Sequence, residues 1–408
     1  MKITFFTQHY LPELGAPPAR ISGIATKLSN MGFDVNIITT VPIRTTKKKA
    51  NLYKKFISIE NKDNIKIFRI KISPLFFGKY INRILREFFF VVCSIIFLKK
   101  KIFNRDIIIV QNPPIFSGII VFVKKIFFKN KKIIVWCSDI WPELLIELGK
   151  IDKKGLISKI MRMFQRITFG NADAIAVTTP KSVIQVKKNY RTKKIFLWMN
   201  SVDISNFTNK NDFRTYRNEW NIGSNKFVIG YAGLHGHFQN LKIVLEAAKL
   251  VLNKNIQFIF VGDGEEKNDL IISSKKFNLK NVIFLPVFEK EEMPDILLNF
   301  DAILIPLAKK MPTTIPSKFY EALAVGRPII TTDSMEVSQL ISDNNLGRTY
   351  KVLDSNSLAK SCDNVSYLED YERVKIGENC RRLSYSYDRQ KVFKIILQDI
   401  NWILKKND

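Results

Sequence analysis

Short apolar runs alternate with amphipathic stretches along the chain, and this alternation predicts strands followed by helices. Residues 2–40 predict a strand, a loop with Gly15, a helix from about Pro17, a turn at Gly32 and a second strand. Apolar runs rich in β-branched residues predict four more strands, at Ile107 to Val110, Ile133 to Trp136, Ala174 to Val177 and Ile195 to Leu197. The first half of the chain therefore predicts a β-loop-α-β unit that further strands extend.

The second half opens with the same unit. Residues 226–264 predict a strand, a loop with Gly233 and Gly236, a helix from about Asn240, and a strand that ends at Gly262. Later strands are predicted at Val282 to Leu285, Ala302 to Ile305 and Ile329 to Thr331. Such alternation favours an α/β fold with two doubly wound parallel sheets, each covered by helices on both faces.

A polar stretch without periodicity, at residues 200–212, separates the two halves. We predict a first domain at residues 1–203, a second at 204–385, and a C-terminal helix at 386–408 that packs back on the first domain. Two such domains would face a central cleft at the carboxyl ends of their sheets, where ligands of open α/β folds bind.

The stretch TTIPSKFYEALAVGRPII, residues 313–330, predicts a short helix between a loop and a strand. The helix should open near Ser317, after a proline, and end at Gly326 in a left-handed cap. Lys318 and Glu321 are three residues apart and share one face beside free backbone N–H groups, which suits an anion. The alternative is an exposed ion pair of little energetic weight.

Other candidate residues also follow predicted strands directly. They are Gly15, Gly233, Gly236, Gly262 and Asp139. Each glycine could instead make a tight turn, and the aspartate could cap the next helix. Neither glycine loop matches GxGxxG, so no dinucleotide fingerprint is present.

Composition narrows the class of protein. A hydrophobic content of 46% excludes a disordered chain, and 408 residues allow two or three domains. The four cysteines form no CxxC pair and the three histidines are few, so we expect a reducing cytosol and no metal. An apolar strand-like segment follows Met1 without the pattern of a secretion signal, which also favours a cytoplasmic protein.

Positive charge is concentrated in one half. Residues 1–200 contain 37 Lys and Arg against 11 Asp and Glu, whereas residues 201–408 contain 28 against 26. The basic half includes an apolar run from Phe88 to Leu98, followed by Lys99 to Lys101, and a second mixed stretch from Ile115 to Phe128. The run is too short to span a bilayer. It predicts either a basic apolar face on an anionic membrane or a buried core helix.

Six segments resemble, in order and spacing, the retaining glycosyltransferases of family 4: QHYLPELGAPPAR, DIWPELLIELGK, ADAIAVTTP, YAGLHGHFQNL, FVGDGEEK and IPSKFYEALAVGRPII. The likeness covers nearly the whole chain and points to the branch that builds bacterial capsule, O-antigen or colanic-acid-like repeat units. It implies the GT-B fold, in which two Rossmann-like domains face a cleft. It also implies an enzyme of the EC 2.4 class that transfers a sugar with retention from a nucleotide-diphosphate sugar, with UDP expected.

The resemblance assigns the diphosphate and the ribose to the helix described above. Lys318 would neutralise the diphosphate, and backbone N–H groups around Thr314, Ile315 and Ser317 would bind it. Glu321 would accept hydrogen bonds from both ribose hydroxyls. With these groups carrying the charge, no metal and no further cofactor are expected.

The resemblance also implies roles in the neighbouring loops. Gly236 would let the backbone approach the diphosphate, the loop at Val287 and Phe288 would meet the base, and Asp139 would face the donor and acceptor sugars, as a candidate catalytic residue. Donor contacts are further predicted for Gly15, Ala16, Gly233 and Gly262.

Three positions depart from the family pattern. Thr313 occupies the place of the first glutamate of the E-x7-E motif, and Ser201 replaces a commoner glycine. His235 and Gln239 stand near the place of an arginine in the glycine loop, so the diphosphate charge would rest more heavily on Lys318.

The expected acceptor is a polyprenyl-diphosphate-linked saccharide, so we predict peripheral attachment to the cytosolic face of the bacterial inner membrane through Phe88 to Lys101. A non-hydrolysing nucleotide-sugar epimerase and a non-catalytic sugar-nucleotide-binding subunit stay open as alternatives. A nucleic-acid binder would also suit the charge, but no nucleic-acid-binding motif is present.

Overall fold

The computed structural model describes residues 1–13, 15–42, 53–72, 79–191, 193–208, 215–308, 314–333 and 335–405. Contacts between residues divide the chain into two compact units. The first comprises Met1–Met199 together with Phe393–Asp408, and the second comprises Asn200–Val392.

The first unit is built on one sheet of eight strands, in the order β3-β4-β2-β1-β5-β6-β7-β8. The strands are β1 (Lys2–Phe6), β2 (Asp34–Thr40), β3 (Ile57–Lys62), β4 (Ile65–Ile70), β5 (Ile107–Asn112), β6 (Lys132–Cys137), β7 (Ala174–Val177) and β8 (Lys194–Leu197). Every residue of β5 is buried, as expected for a central strand with helices on both faces. The edge strand β3 alone runs antiparallel to its neighbour among these eight.

Helices of the first unit follow its strands. They are α1 (Ala16–Asn30), α2 (Lys79–Phe103), α3 (Gly118–Phe127), α4 (Glu143–Glu147), α5 (Leu156–Asn171) and α6 (Pro180–Asn189), with a 3-10 turn at Ile115–Ser117. None of the helices in the described part of the chain is long and apolar enough to cross a membrane.

The second unit has a six-stranded, wholly parallel sheet in the order β11-β10-β9-β12-β13-β14. The strands are β9 (Phe227–Ala232), β10 (Ile256–Val261), β11 (Val282–Leu285), β12 (Ala302–Ile305), β13 (Ile329–Thr332) and β14 (Gly347–Tyr350). The helices are α7 (Ser205–Thr208), α8 (Lys242–Leu250), α9 (Lys267–Lys276), α10 (Met293–Leu298), α11 (Ser317–Val325), α12 (Met335–Asn344), α13 (Ser355–Ser366) and α14 (Asp370–Ser384).

The last helix, α15 (Arg389–Lys405), starts in the second unit and ends in the first. Its Asp399 Oδ2 accepts a 3.0 Å hydrogen bond from Nε1 of Trp198, whose side chain is completely buried. Trp402 adds an edge contact to Phe196, with ring centroids 6.0 Å apart. The C-terminal segment is therefore part of the core of the first unit.

The strands predicted from apolar runs are present, with ends that shift by at most two residues. The antiparallel pair β3 and β4 was missed. Its turn at Asp63 and Asn64 has positive φ at both residues, which is the geometry of a tight hairpin. β14 was also missed, because a four-residue strand that begins with Gly347 carries almost no apolar pattern.

Candidate active site

Most of the candidate donor-binding residues lie in loops that follow strands of the second unit, whereas Gly15 and Ala16 lie in the first unit. The order β10-β9-β12 places these three strands side by side, so the loops after them meet at one edge of the sheet. The loop after β9 contains Gly233 and Gly236, the loop after β10 starts at Gly262, and the loop after β12 leads to α11. Residues distant in sequence are thereby brought together.

Lys318 lies directly against Gly233. A Cβ atom on Gly233 would overlap the Lys318 Nζ, and the φ of Gly233 is 152°, a region that favours glycine. The same Nζ lies 5.6 Å from the centroid of the Tyr231 ring. The absence of a side chain at residue 233 therefore makes the space that the lysine occupies.

No hydrogen bond or ion pair within the described residues neutralises Lys318. Glu321 is exposed, and no ion pair joins the two side chains, so the ion-pair alternative does not describe this structure. Burial lowers the pKa of the Lys318 ammonium, and the Glu321 carboxylate opposes that effect. A half-buried cation without a bound carboxylate is suited to receive an anion from outside.

The helix that carries Lys318 has the predicted bounds. α11 starts at Ser317 after Pro316 and ends before Gly326, whose φ of 72° and ψ of 46° are left-handed. Its first turn has no acidic residue and no side-chain cap, so no carboxylate of that turn competes with an anion for its N–H groups. Ile315 is buried and anchors the preceding loop, Thr314 is half-buried and Ser317 is exposed. Position 313 lies outside the described residues.

The loops after β9 and β10 are in close contact. The Gly233 N–H donates to the Val261 carbonyl at 2.8 Å, and the His235 N–H donates to the Asp263 carbonyl at 2.9 Å. A Cβ atom on Gly262 would overlap the Gly233 carbonyl oxygen. The absence of a side chain at Gly262 therefore allows the two loops to approach each other, and its role in donor binding stays a prediction.

His235 is completely buried in this loop, and neither ring nitrogen has a partner in hydrogen-bonding geometry within the described residues. Burial lowers the pKa of His235 to about 4, and the nearby Lys267 and Lys318 ammonium groups contribute to the same shift. The imidazole is therefore neutral at physiological pH. Sequence reasoning noted this histidine only as a departure from the family pattern, since nothing local shows that it is buried.

Lys267 is a second residue that the sequence analysis missed. Its Nζ donates to the Gly262 carbonyl at 2.6 Å and to the Leu285 carbonyl at 2.8 Å, so it ties the loop after β10 to the end of β11. Val287 is 60% exposed just beyond β11, and Phe288 makes an edge contact with Tyr216 at 5.9 Å. An exposed apolar residue beside a fixed aromatic ring could receive a planar base.

Gly236 is buried within the same loop. Its carbonyl accepts a hydrogen bond from the Gln239 N–H at 3.0 Å, which forms a turn ahead of α8. The interpretation of Gly236 as part of a turn is therefore correct. That its backbone approaches the diphosphate stays a prediction.

Asp139 lies in the first unit, two residues after β6, and is half-buried. It does not cap a helix, because α4 begins four residues later and its N-cap is Pro142. The capping alternative is therefore wrong. The backbone carbonyl of Asp139 accepts a hydrogen bond from the Cys137 thiol at 3.2 Å.

Arg20 lies beside this strand end. Its Nη2 donates to the Ser138 Oγ at 2.6 Å, and its guanidinium lies 5.3 Å from the Trp136 ring centroid. It comes from α1, whose first residue is Ala16 and whose N-cap is Gly15 with a φ of 135°. This arginine ends the segment QHYLPELGAPPAR, and no role was predicted for it.

The apolar run from Phe88 to Leu98 lies within α2 and has two faces. Phe90, Val91 and Leu98 are buried in the core of the first unit. Other residues of the run are exposed, and so are the lysines that follow it: Phe88, Phe89, Ile96, Phe97, Lys99, Lys100 and Lys101. The core-helix alternative is therefore correct for the buried side, and contact of the exposed side with a membrane stays a prediction.

Comparison with known proteins gives a consistent result. Residues 212–383 match the family described as glycosyl transferases group 1. The putative colanic acid biosynthesis glycosyl transferase WcaI of Escherichia coli K12 is 24% identical over 355 residues, which cover 83% of this chain and 86% of that protein. The UDP-Gal:alpha-D-GlcNAc-diphosphoundecaprenol alpha-1,3-galactosyltransferase of Escherichia coli is 28% identical over 197 residues, 46% of this chain and 49% of that protein.

A solved structure supports the fold assignment. Sucrose-phosphate synthase of Thermosynechococcus elongatus has a TM-score of 0.78 with 15% identity, and the similarity covers 99% of both chains. The region that matches the family contains β9 to β14 and the loops around Lys318. The chain therefore has the GT-B fold, and its second unit carries a domain that matches glycosyl transferases group 1.

Proposed function

We propose that the protein transfers a sugar, with retention, from a UDP-sugar to a polyprenyl-diphosphate-linked saccharide in bacterial surface polysaccharide synthesis. The names of two relatives support this proposal, since one refers to colanic acid biosynthesis and the other to a UDP-Gal donor and a diphosphoundecaprenol acceptor. The observation that carries it is Lys318, a half-buried cation that no described residue neutralises, beside Gly233 and the start of α11.

Lys318 and the first N–H groups of α11 would hold the donor diphosphate. The charge on the leaving diphosphate grows as the bond to the sugar breaks, so donors that are fixed beforehand stabilise the transition state more than the ground state. The missing side chain at Gly233 makes room for the Lys318 ammonium, beside which the diphosphate would bind. In this proposal the lysine and the backbone carry the charge without a metal ion, so transfer should persist in EDTA.

Glu321 would bind the ribose of the donor. It is exposed one turn after the start of α11, on the same face as Lys318, and its carboxylate can accept from two vicinal hydroxyls. Val287 and Phe288 would contact the base, and Gly236 the diphosphate.

Asp139 would orient the acceptor or stabilise the positive charge at the anomeric carbon. In a retaining transfer of this kind, the leaving diphosphate oxygen accepts the acceptor proton on the same face of the sugar. Asp139→Asn should then lower kcat more than it changes the KM of the donor. Equal turnover by this variant would remove the catalytic role.

We further propose that the protein attaches to the cytosolic face of the inner membrane through Phe88 to Lys101. The exposed Phe88, Phe89, Ile96 and Phe97 supply apolar area, and Lys99 to Lys101 supply positive charge next to it. Both features favour an anionic leaflet, where a polyprenyl-linked acceptor would lie.

The test of this function starts from donor binding. A panel of nucleotide sugars is screened by thermal shift, and transfer to a polyprenyl-diphosphate-linked saccharide is then measured with the donor that stabilises the protein. Lys318→Ala should lower kcat/KM about 100-fold to 1000-fold, the range found when one stabilising donor is removed. Lys360→Ala, which removes an exposed lysine on α13, is the matched control.

Three outcomes would contradict the proposal. They are unchanged transfer by Lys318→Ala, inversion of the anomeric configuration in the product by NMR, and conversion of the donor without an acceptor. The last result would instead support an epimerase.

A further inference from the structure

Helix α5 has an unusual distribution of side chains for a surface helix. Leu156, Ile157, Ile160 and Met163 are 73%, 61%, 44% and 50% exposed. The core-facing side buries Phe169 together with three polar residues, Ser158, Gln165 and Thr168. The apolar residues of an amphipathic helix normally all face the core, so a second apolar stripe on the exposed side is unusual.

Close packing explains why polar residues are buried on the core-facing side. A Cβ atom on Gly118 of α3 would overlap the Thr168 Oγ1, so α3 and α5 approach each other through these small residues. The buried polar groups have partners: Gln165 Nε2 donates to the Trp141 carbonyl at 2.7 Å, and Thr168 Oγ1 donates to the Phe164 carbonyl at 2.7 Å. The fold therefore leaves the apolar stripe in contact with solvent.

Cations surround the stripe. Lys153, Lys154, Lys159 and Arg166 are exposed on or just before α5. Among the carboxylates nearby, Glu143 is paired with Arg162 at 3.5 Å, while Asp152 and Glu147 are exposed. Positive charge thus exceeds negative charge next to the apolar side chains.

Aromatic contacts connect this stripe to α2. The Phe164 ring of α5 meets Phe116 edge-on at 5.5 Å, and Phe116 meets Phe88 of α2 at 5.6 Å. Phe88 and Phe89 are themselves 37% and 39% exposed. The rings of Phe164, Phe116 and Phe88 therefore form one row that connects α5 with the exposed apolar residues of α2.

We propose that the stripe formed by Leu156, Ile157, Ile160 and Met163 lies in the interface of an anionic phospholipid bilayer, with the flanking lysines at the headgroups. An apolar helical face bordered by lysines is the arrangement of helices that lie flat on such a surface. A second copy of the chain is the poorer occupant, because two faces of the same positive charge repel each other. The inference rests on the proposed function, in which the acceptor is a membrane lipid, but its test needs no transfer reaction.

The test is flotation of the full chain with vesicles of phosphatidylglycerol and phosphatidylethanolamine. In the triple variant Leu156→Ser, Ile160→Ser, Met163→Ser, we expect the partition coefficient to fall at least about 10-fold, since the inserted apolar area is lost. Exposed apolar residues of the second unit supply a matched control triple, Ile272→Ser, Tyr371→Ser, Val374→Ser, which should float like the wild type.

A second set of variants tests the charge and guards against misfolding. Lys153→Gln, Lys154→Gln, Lys159→Gln should weaken flotation with phosphatidylglycerol and leave the weaker binding to phosphatidylcholine vesicles unchanged. Ile157→Glu introduces one anion into the stripe and should also reduce flotation. Circular dichroism confirms that each variant is folded.

Flotation of the stripe variants at the wild-type level would overturn the inference. It would also be overturned if sedimentation showed a dimer of the wild type that the stripe variants lose, while their lipid binding is unchanged. The two proposals can fail separately. A protein that transfers the sugar, and whose stripe variants float like the wild type because Phe88 to Lys101 suffices for binding, would overturn the inference alone. A protein that floats through α5 but neither binds nor transfers a nucleotide sugar would overturn the proposed function alone.

Discussion

At the scale of single residues, the electrostatic state of a side chain follows from what the fold places around it. Lys318 and His235 lie near each other in the second unit, and both have pKa values shifted by burial towards the neutral form. Lys318 is half-buried, whereas His235 is completely buried. Water therefore cannot hydrate the histidine when it takes up a proton.

The lowered pKa of His235 predicts a dependence of stability on pH. The unfolded chain binds the proton at the ordinary pKa of 6.5, whereas the folded chain binds it only at about 4. The unfolded state therefore binds more protons between these values, and stability should fall as the pH drops from 7 to 4. The loss is on the order of 2–3 kcal/mol.

Urea unfolding at pH values from 4.5 to 7.5 measures this effect. His235→Gln should remove the fall in the free energy of unfolding between pH 7 and pH 4.5. His237→Gln, which changes an exposed histidine two residues away, should retain it. An identical slope in wild type and His235→Gln would show that another group is responsible.

At the scale of elements, local sequence decided where a helix begins and ends, but not which of its faces is buried. The bounds of α11 follow from Pro316 and Gly326, which act within a few residues of themselves. The orientation of α5 depends instead on Gly118, about fifty positions away from Thr168.

The contact between α3 and α5 predicts a compensating pair of substitutions. Gly118→Ala places a methyl group against the Thr168 Oγ1 and should destabilise the protein by about 1–3 kcal/mol. Thr168→Ala removes that oxygen, so the double variant should recover part of the loss. Thermal and urea unfolding of the four proteins measure the coupling. Additive effects of the two changes would show that the helices adjust without conflict.

At the scale of the whole molecule, the chain completes its first unit with its last segment. Trp198 is completely buried, and its Nε1 donates to Asp399, which is about two hundred residues away in sequence. The hydrogen bond therefore makes the stability of the first unit depend on the C-terminal helix.

Asp399→Ala should destabilise the protein by about 1–3 kcal/mol, because it leaves a buried indole N–H without an acceptor. Asp399→Asn retains an acceptor oxygen and should lose less. Lys394→Ala, an exposed change on the same helix, serves as the control. Urea unfolding followed by tryptophan fluorescence measures the differences, and equal stability of Asp399→Ala and wild type would contradict the prediction.

The order of strands and helices, the α/β class and the bounds of α11 could be predicted because they depend on apolar periodicity and on proline and glycine, which act locally. The hairpin of β3 and β4 and the short β14 were missed, since their turn and glycine signals are weak. The positions of Gly233 and Lys318 after strands could likewise be predicted.

Only the tertiary structure decided that Lys318 lies against Gly233 with no carboxylate partner among the described residues, that His235 is buried, and that the apolar stripe of α5 faces outwards. The physical reason is the same in each case. Periodicity along the sequence defines the faces of an element, whereas burial and charge compensation are set by packing between segments far apart in the chain.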